Sequence, residues 1–136
     1  MTDRENPARL NELSASEKMI LALKGDSEIR MKLVQDSNRT VWGAALCSPN
    51  MNEQDAELIS AMREVQPDVL REIAKQREWT KRYKVCLNLV TNPVTPEDIA
   101  LTLLARLSQE DLERVTGNSD LSSRIRSTAE RMRGTP

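Results

Sequence analysis

Slid along itself by about 43 residues, the chain meets a second copy of one of its own segments, and a period of that size constrains the fold more than any other feature. Leu46-Cys47-Ser48-Pro49-Asn50-Met51-Asn52 lies over Leu89-Val90-Thr91-Asn92-Pro93-Val94-Thr95. An acidic stretch follows each copy, Glu53-Gln54-Asp55 in one and Pro96-Glu97-Asp98 in the other, and Leu58 then overlies Leu101. With a shift one residue shorter, Leu70-Arg71-Glu72-Ile73 overlies Leu112-Glu113-Arg114-Val115. A unit this short exposes an apolar face that it cannot bury alone, so neighbouring units must stack into one continuous core.

The units are helical. Ser, Thr, Asp or Asn ahead of an acidic first turn satisfies the free amides of a helix N-terminus, and that signal recurs along the chain. Thr95-Pro96-Glu97-Asp98 predicts a cap at Thr95 and a helix starting at Pro96; Asn52-Glu53-Gln54-Asp55, Gln66-Pro67-Asp68 and Ser108-Gln109-Glu110-Asp111 follow the same logic. Gly25 and Gly117 fit helix C-terminal exits. Apolar spacing is helical too, as in Ile99, Leu103, Leu104 and Leu107, and no stretch alternates long enough for a strand. The expected helices lie near 15–24, 27–36, 39–47, 53–64, 67–76, 79–90, 96–107, 109–116 and 121–132. With no Phe and only Trp42, Trp79 and Tyr83 as aromatics, the core must be aliphatic, which suits helix-on-helix packing better than a sheet.

At these residues the chain resembles HEAT-like repeat proteins, particularly the bacterial, leucine-rich-repeat-variant kind whose units carry an Asn-Pro-x-Thr-Pro turn. Asn92-Pro93-Val94-Thr95-Pro96 stands intact; Ser48-Pro49-Asn50-Met51-Asn52 is a degraded copy. Before residue 38 the match is loose, carried by Lys24-Gly25-Asp26-Ser27-Glu28 against Thr116-Gly117-Asn118-Ser119-Asp120. The resemblance covers roughly residues 15–132. It implies an all-α fold, a short right-handed α-solenoid of about three to four stacked helical hairpins with terminal units as caps, and a scaffold that holds a partner on its surface. A flexible segment over 1–12, one repeat domain over 13–133 and a frayed tail over 134–136 complete the expected organisation. Some DNA glycosylases acting on alkylated bases share the architecture, but no catalytic motif of theirs matches this chain residue by residue.

Chemistry is scarce. The chain has no His, which removes the commonest general base and metal ligand, and it has no phosphate-binding glycine loop and no CxxC. Carboxylate pairs such as Asp55 with Glu57 or Glu110 with Asp111 read as helix first turns. No enzyme activity, catalytic residue, cofactor or metal is therefore expected. Cys47 and Cys86 sit in apolar helical stretches and read as buried, reduced, structural thiols. The first dozen residues carry neither a secretory signal nor a membrane anchor, so a cytoplasmic protein is the expectation.

Net charge is only −1, yet its distribution is uneven. Residues 71–84 hold six cations against Glu72 and Glu78, and residues 121–133 hold four against Glu130, whereas 51–68 has five acids against Arg63. If basic helices share one side of the stack, that side can receive an acidic protein segment or a phosphate backbone. The candidate partner-binding residues are Lys75, Arg77, Trp79, Lys81, Arg82, Lys84, Arg124 and Arg126. Another protein is the first expected partner, with nucleic acid on stretches 71–84 and 121–133 as the alternative, and weak self-association through an imperfectly capped end as a further expectation. Against these stands a solvated face with internal pairing, such as Glu78 with Arg82, or a ladder in which Arg39, Arg82 and Arg124 join carboxylates of adjacent units. Trp79 reads as a wedge in the core or as an interface anchor, and Trp42, beside Gly43-Ala44-Ala45, as core.

Overall fold

A computed structural model of the chain describes residues 7–134. Among these the fold is all-helical, with ten α-helices and no strand: α1 (Ala15–Lys24), α2 (Ser27–Leu33), α3 (Arg39–Leu46), α4 (Glu53–Ser60), α5 (Pro67–Lys75), α6 (Arg77–Thr80), α7 (Tyr83–Thr91), α8 (Glu97–Leu103), α9 (Gln109–Thr116) and α10 (Ser123–Met132). Most start where capping chemistry places them. Ser14 and Glu17 form a reciprocal capping box at α1, and the side chains of Asp26, Asn38, Asn52, Ser108 and Ser122 accept first-turn amides at α2, α3, α4, α9 and α10. Pro67 opens α5, where its missing amide proton costs nothing. At Gly25, which ends α1, an added Cβ would meet the Leu21 carbonyl oxygen at 2.6 Å and Ile29 Cγ2 at 2.8 Å, so α2 can turn back onto α1 only at a residue without a side chain.

The core is aliphatic. Ile29, Val41, Ile59, Leu70, Ile73, Leu89, Val90, Leu104 and Val115 are buried, with Trp42 as the aromatic of the central cluster. Packing follows chain order in three groups. α1, α2 and α3 pack on one another; α4 to α7 form a second set; α8, α9 and α10 form a third. The principal contacts between sets join α2 to α4 and α7 to α8, so each set leans mainly on its sequence neighbour. α1 leaves Ile20 and Leu23 exposed on its outer side.

Polar cross-links recur with the sequence period. Arg30, in α2, donates to Asp55 in α4 at 2.8 Å, and Arg71, in α5, donates to Asp98 in α8 at 3.1 Å. Arg39, at the start of α3, donates to Asp68 in α5 at 3.1 Å, and the Tyr83 hydroxyl, at the start of α7, donates to Asp111 in α9. Asp55 and Asp98 occupy matching positions 43 residues apart, as do Asp68 and Asp111. First-turn acids thus do two jobs: they face the positive helix end and tie one helical set to the previous one.

The turns recur as well. The amides of Met51, Thr95 and Leu121 donate to the carbonyls of Ser48, Asn92 and Asn118, while the side chains of those same three residues accept the amides of Asn50, Val94 and Asp120. Asn92 does more. Its side-chain amide donates to the Ser60 carbonyl at 3.0 Å and the Met62 carbonyl at 2.7 Å, satisfying the C-terminal end of α4. Ser48 makes the weaker equivalent, donating to the Leu23 carbonyl at 3.3 Å beside the end of α1. The structural partner of Asn92 is therefore Ser48, one position from the pairing that the sequence overlay suggests.

Several expectations need correction. The single helix expected over 79–90 is two, because Arg82 is extended and separates α6 from α7. Pro96, not Thr95, caps α8, and the buried Thr95 hydroxyl has no hydrogen-bond partner. Within the segment expected to be flexible over 1–12, Pro7–Glu12 folds as a 3-10 helix that places Leu10 in the core, while residues 1–6 lie outside the described residues. Cys47 is exposed, since it caps α3 one residue beyond the buried Leu46 face; Cys86 is buried as expected.

Candidate functional site

Arg39, Trp42, Gly43 and Leu46 recur at the three- and four-residue spacing that places side chains on one face of α3. That face and Cys47 form one wall of a cleft of about 230 Å³, whose other wall is Glu72 and Gln76 at the end of α5 and Trp79 of α6. A second, shallower depression of about 510 Å³ lies beyond Trp79, lined by Met51, Asn52, Glu53, Gln54, Glu78 and Arg82. Trp79 borders both.

The far wall owes its position to a break in the helix. α5 stops because Gln76 is extended, and its carbonyl then accepts the amides of Trp79 and Thr80, starting the single turn of α6. Thr80 is buried beneath that turn, where its carbonyl accepts the Cys86 thiol at 3.2 Å. Burial pushes the Cys86 thiol above its ordinary pKa, which suits an inert structural role. α7 begins 30 residues after the start of α4, whereas α10 begins 26 after the start of α8; two of the four extra residues precede α5 and two fall between α5 and α7, where α6 adds a turn with no counterpart before α10. Trp79 is carried by that extra turn.

Three details distinguish the cleft from ordinary packing. A Cβ added at Gly43 would meet nothing within 4 Å, so no neighbour in the chain requires a glycine in the middle of α3. Glycine there costs the helix about 1 kcal/mol relative to alanine. Trp42 is only 4% exposed, yet its indole nitrogen is neither hydrogen-bonded nor sealed from solvent, and the Trp79 indole also lacks an acceptor among the described residues. Buried tryptophans ordinarily give that proton to a partner. Finally, the Arg39 guanidinium stacks over the Trp42 ring at 5.3 Å while donating to Asp68, fixing one end of the cleft.

Three of the seven basic candidates have internal partners, as does the neighbouring Arg71. Lys75 pairs with Glu72 and Lys81 with Glu78, each at 3.0 Å. Arg82 reaches Glu53 at 3.2 Å and Glu57 at 3.4 Å rather than Glu78. Arg71 is bound to Asp98, and that bond, with the attraction of the two charges, holds the Asp98 carboxyl below and the Arg71 guanidinium above their usual ranges. Arg77 and Lys84 are exposed and have no carboxylate partner among the described residues. Arg124 is likewise exposed and unpaired, and Arg126 is half-buried with its Nε sealed and unbonded. Residues 124 and 126 belong to α10, which packs on α8 and α9, while the 71–84 stretch belongs to α5, α6 and α7. Of the expected arginine ladder, Arg39 reaches across to Asp68, Arg82 bonds within its own helical set, and Arg124 takes no part.

Trp79 is thus both a partial core residue and a wall of the cleft, and Trp42 and Gly43 join it. The sequence contained a signal for them in the lone glycine of a helical stretch and in the longer middle segment. Among the described residues, no group of three or more His, Cys, Asp or Glu side chains could hold a metal ion, and no helix is long and apolar enough to cross a membrane. No protein-family model, curated protein or solved structure matches the chain.

Proposed function

We propose that this chain is a non-enzymatic interaction module of the cytoplasm, in which three helical units stack as a short right-handed α-solenoid of HEAT-like type and hold another protein in the cleft between Trp42 and Trp79. The units are α1 to α3, α4 to α7 and α8 to α10. Matching cross-links at Asp55 and Asp98, and at Asp68 and Asp111, support the stacking. On this reading the units hold three, four and three helices.

One observation carries the functional half. The extra turn α6, absent from the corresponding place before α10, brings Trp79 to the junction of two units, opposite a helix that keeps an unneeded glycine. Insertions in repeat arrays commonly serve the binding face. A half-exposed Trp at a concave junction has the character of an interface anchor. The acids that could have served catalysis are spent on helix first turns and cross-links. Nucleic-acid binding is the weaker alternative, since four of the six cations in 71–84 are held in ion pairs and only Arg77 and Lys84 stay free.

Quantitative affinity purification from the source cells tests the reading with two variants. Gly43→Met projects a flexible side chain into the cleft from a position that has room for it, and the double variant Arg77→Glu with Lys84→Glu removes the free cations. Loss of a specific protein partner in the first variant and its retention in the second is the expected result. Retention in the first and loss in the second would move the binding surface to the cations.

A further inference from the structure

Taking the cleft as the binding surface, the acceptors along its α5 wall narrow what fits there. Asp68, Glu72 and Gln76 are spaced four residues apart, so they follow one another along one face of α5 to its end. The first already has its donor. Arg39 crosses from α3 to Asp68 at 3.1 Å while its guanidinium lies 5.3 Å from the centre of the Trp42 ring. The chain thus carries one arginine that stacks on a tryptophan of the cleft and is anchored by this column of acceptors.

The next two members of the column line the cleft together with its second tryptophan, Trp79. Arg39 and Glu72 are the charged residues of that lining, and they are held very differently. Arg39 has both Asp68 and the Trp42 ring. Glu72 is paired only with the exposed Lys75, three residues along the same helix at 3.0 Å, and an exposed pair at that spacing is weak enough to yield to a better donor. The Gln76 side chain makes no hydrogen bond among the described residues, so its amide oxygen adds a second acceptor one turn from Glu72. Space is limited: about 230 Å³ lies below the range of about 300–1,000 Å³ typical of small-molecule sites and suits one long side chain. Gly43 and Leu46, on the α3 wall, leave an apolar lane for its stem.

We propose that the cleft takes an arginine side chain of the partner protein, stacked on Trp79 with its guanidinium donating to the Glu72 carboxylate and the Gln76 side-chain oxygen. It repeats, one turn along α5, the arrangement that Arg39 makes with Trp42 and Asp68. An indole face attracts a cation more strongly than any other side-chain ring. The planar guanidinium fork also presents several N–H groups to separate acceptors at once, whereas a lysine ammonium is a compact, strongly hydrated point charge that gains less from stacking.

The full chain, labelled with nitrogen-15, is titrated with a blocked nine-residue glycine-serine peptide carrying one central arginine. Parallel titrations use the same peptide with lysine, with leucine, or with citrulline, which keeps the shape of arginine without its charge. A saturable shift of the Trp79 indole signal is expected with arginine, weaker with lysine and absent with citrulline and leucine. Glu72→Gln should weaken arginine binding about tenfold or more, as for loss of a hydrogen bond to a charged group, and Lys75→Met, which removes the rival donor, should strengthen it. Shifts as large with citrulline or leucine, or arginine binding indifferent to Glu72→Gln, would overturn the arginine assignment and leave the cleft as a binding surface. No response to the arginine peptide would also overturn it, and a partner captured equally by wild type and Gly43→Met would overturn the cleft itself.

Discussion

Arg30 and Asp55 form an ion pair sealed inside the fold, with Nη2 2.8 Å from Oδ2 and each side chain only 4% exposed. It joins α2 to α4 across the first junction. Asp55 also accepts the Ser27 hydroxyl at 2.6 Å, and the Arg30 Nη1 donates to the Gly25 carbonyl at 2.8 Å. Arg30 Nε is buried without a partner, so the pair is incompletely satisfied. Such a pair fixes register more than it adds stability, because removing two charges from water costs nearly what their attraction returns.

Breaking it from one side is a different matter. Asp55→Ala leaves the Arg30 charge buried and alone and should cost about 3–5 kcal/mol in urea unfolding. The double variant Arg30→Met with Asp55→Ala should recover part of that loss. A single-variant cost near zero would mean that the junction is open to water.

The turn at Asn92 predicts a graded effect. Asn92→Ala strands the Ser60 and Met62 carbonyls at the end of α4 and should cost about 2–4 kcal/mol, at one to two per lost buried bond. Ser48→Ala removes one longer bond and should cost about 1 kcal/mol or less. Equal costs would contradict the reading of Ser48 as the weaker copy.

Acid should loosen the first helical set through Asp36. Burial raises its pKa, but the Lys18 ammonium at 2.7 Å and the Asn38 amide outweigh that and hold it below the ordinary carboxyl value. A depressed folded-state pKa contributes stability that is complete above the unfolded value, about 3.9, and is lost as pH falls through the folded one. Lys18→Met should cost about 1–2 kcal/mol at neutral pH and flatten the fall of stability below about pH 4, read from urea midpoints against pH. An unchanged acid slope would remove Asp36 from the account.

The two thiols should separate cleanly. Cys47 is exposed at the end of α3, whereas Cys86 is buried and its pKa raised by desolvation. A thiol reagent should modify one equivalent quickly in the native protein and the second only on unfolding. Two fast equivalents would contradict the burial of Cys86 beneath α6.

Much of the helical frame was legible from capping residues, because a cap is local chemistry: Asn52 and Ser108 accept the amides that their sequence neighbours imply. The one-residue shift at Ser48 was not, since only the hydrogen bonds reveal that a serine hydroxyl replaces an asparagine side chain. The break at Gln76 was legible, since separate helices over 67–76 and 79–90 were expected, but the break at Arg82 was hidden; residues 79–90 are helix-compatible in pattern, and tertiary packing of Thr80 and Cys86 decides where the chain turns. Sequence shows that cations are adjacent, but the carboxylates of Glu53, Glu57 and Asp98 that pair with Arg82 and Arg71 come from more than twenty residues away. The cleft itself needed both the break and the approach of α3 to α5 and α6 to be seen.

The most direct measurement of the central claim uses Cys47 as a reporter inside the cleft. The protein, labelled there with a photoactivatable benzophenone, is irradiated in extract of the source cells, beside a Cys47→Ser variant carrying the same label at Ser127→Cys on the exposed side of α10. A protein adduct formed from position 47, absent from position 127 and abolished by Gly43→Met, is the predicted result. The same adducts from both positions, or adducts from position 47 that survive Gly43→Met, would contradict the assignment of the Trp42–Trp79 cleft as the binding surface.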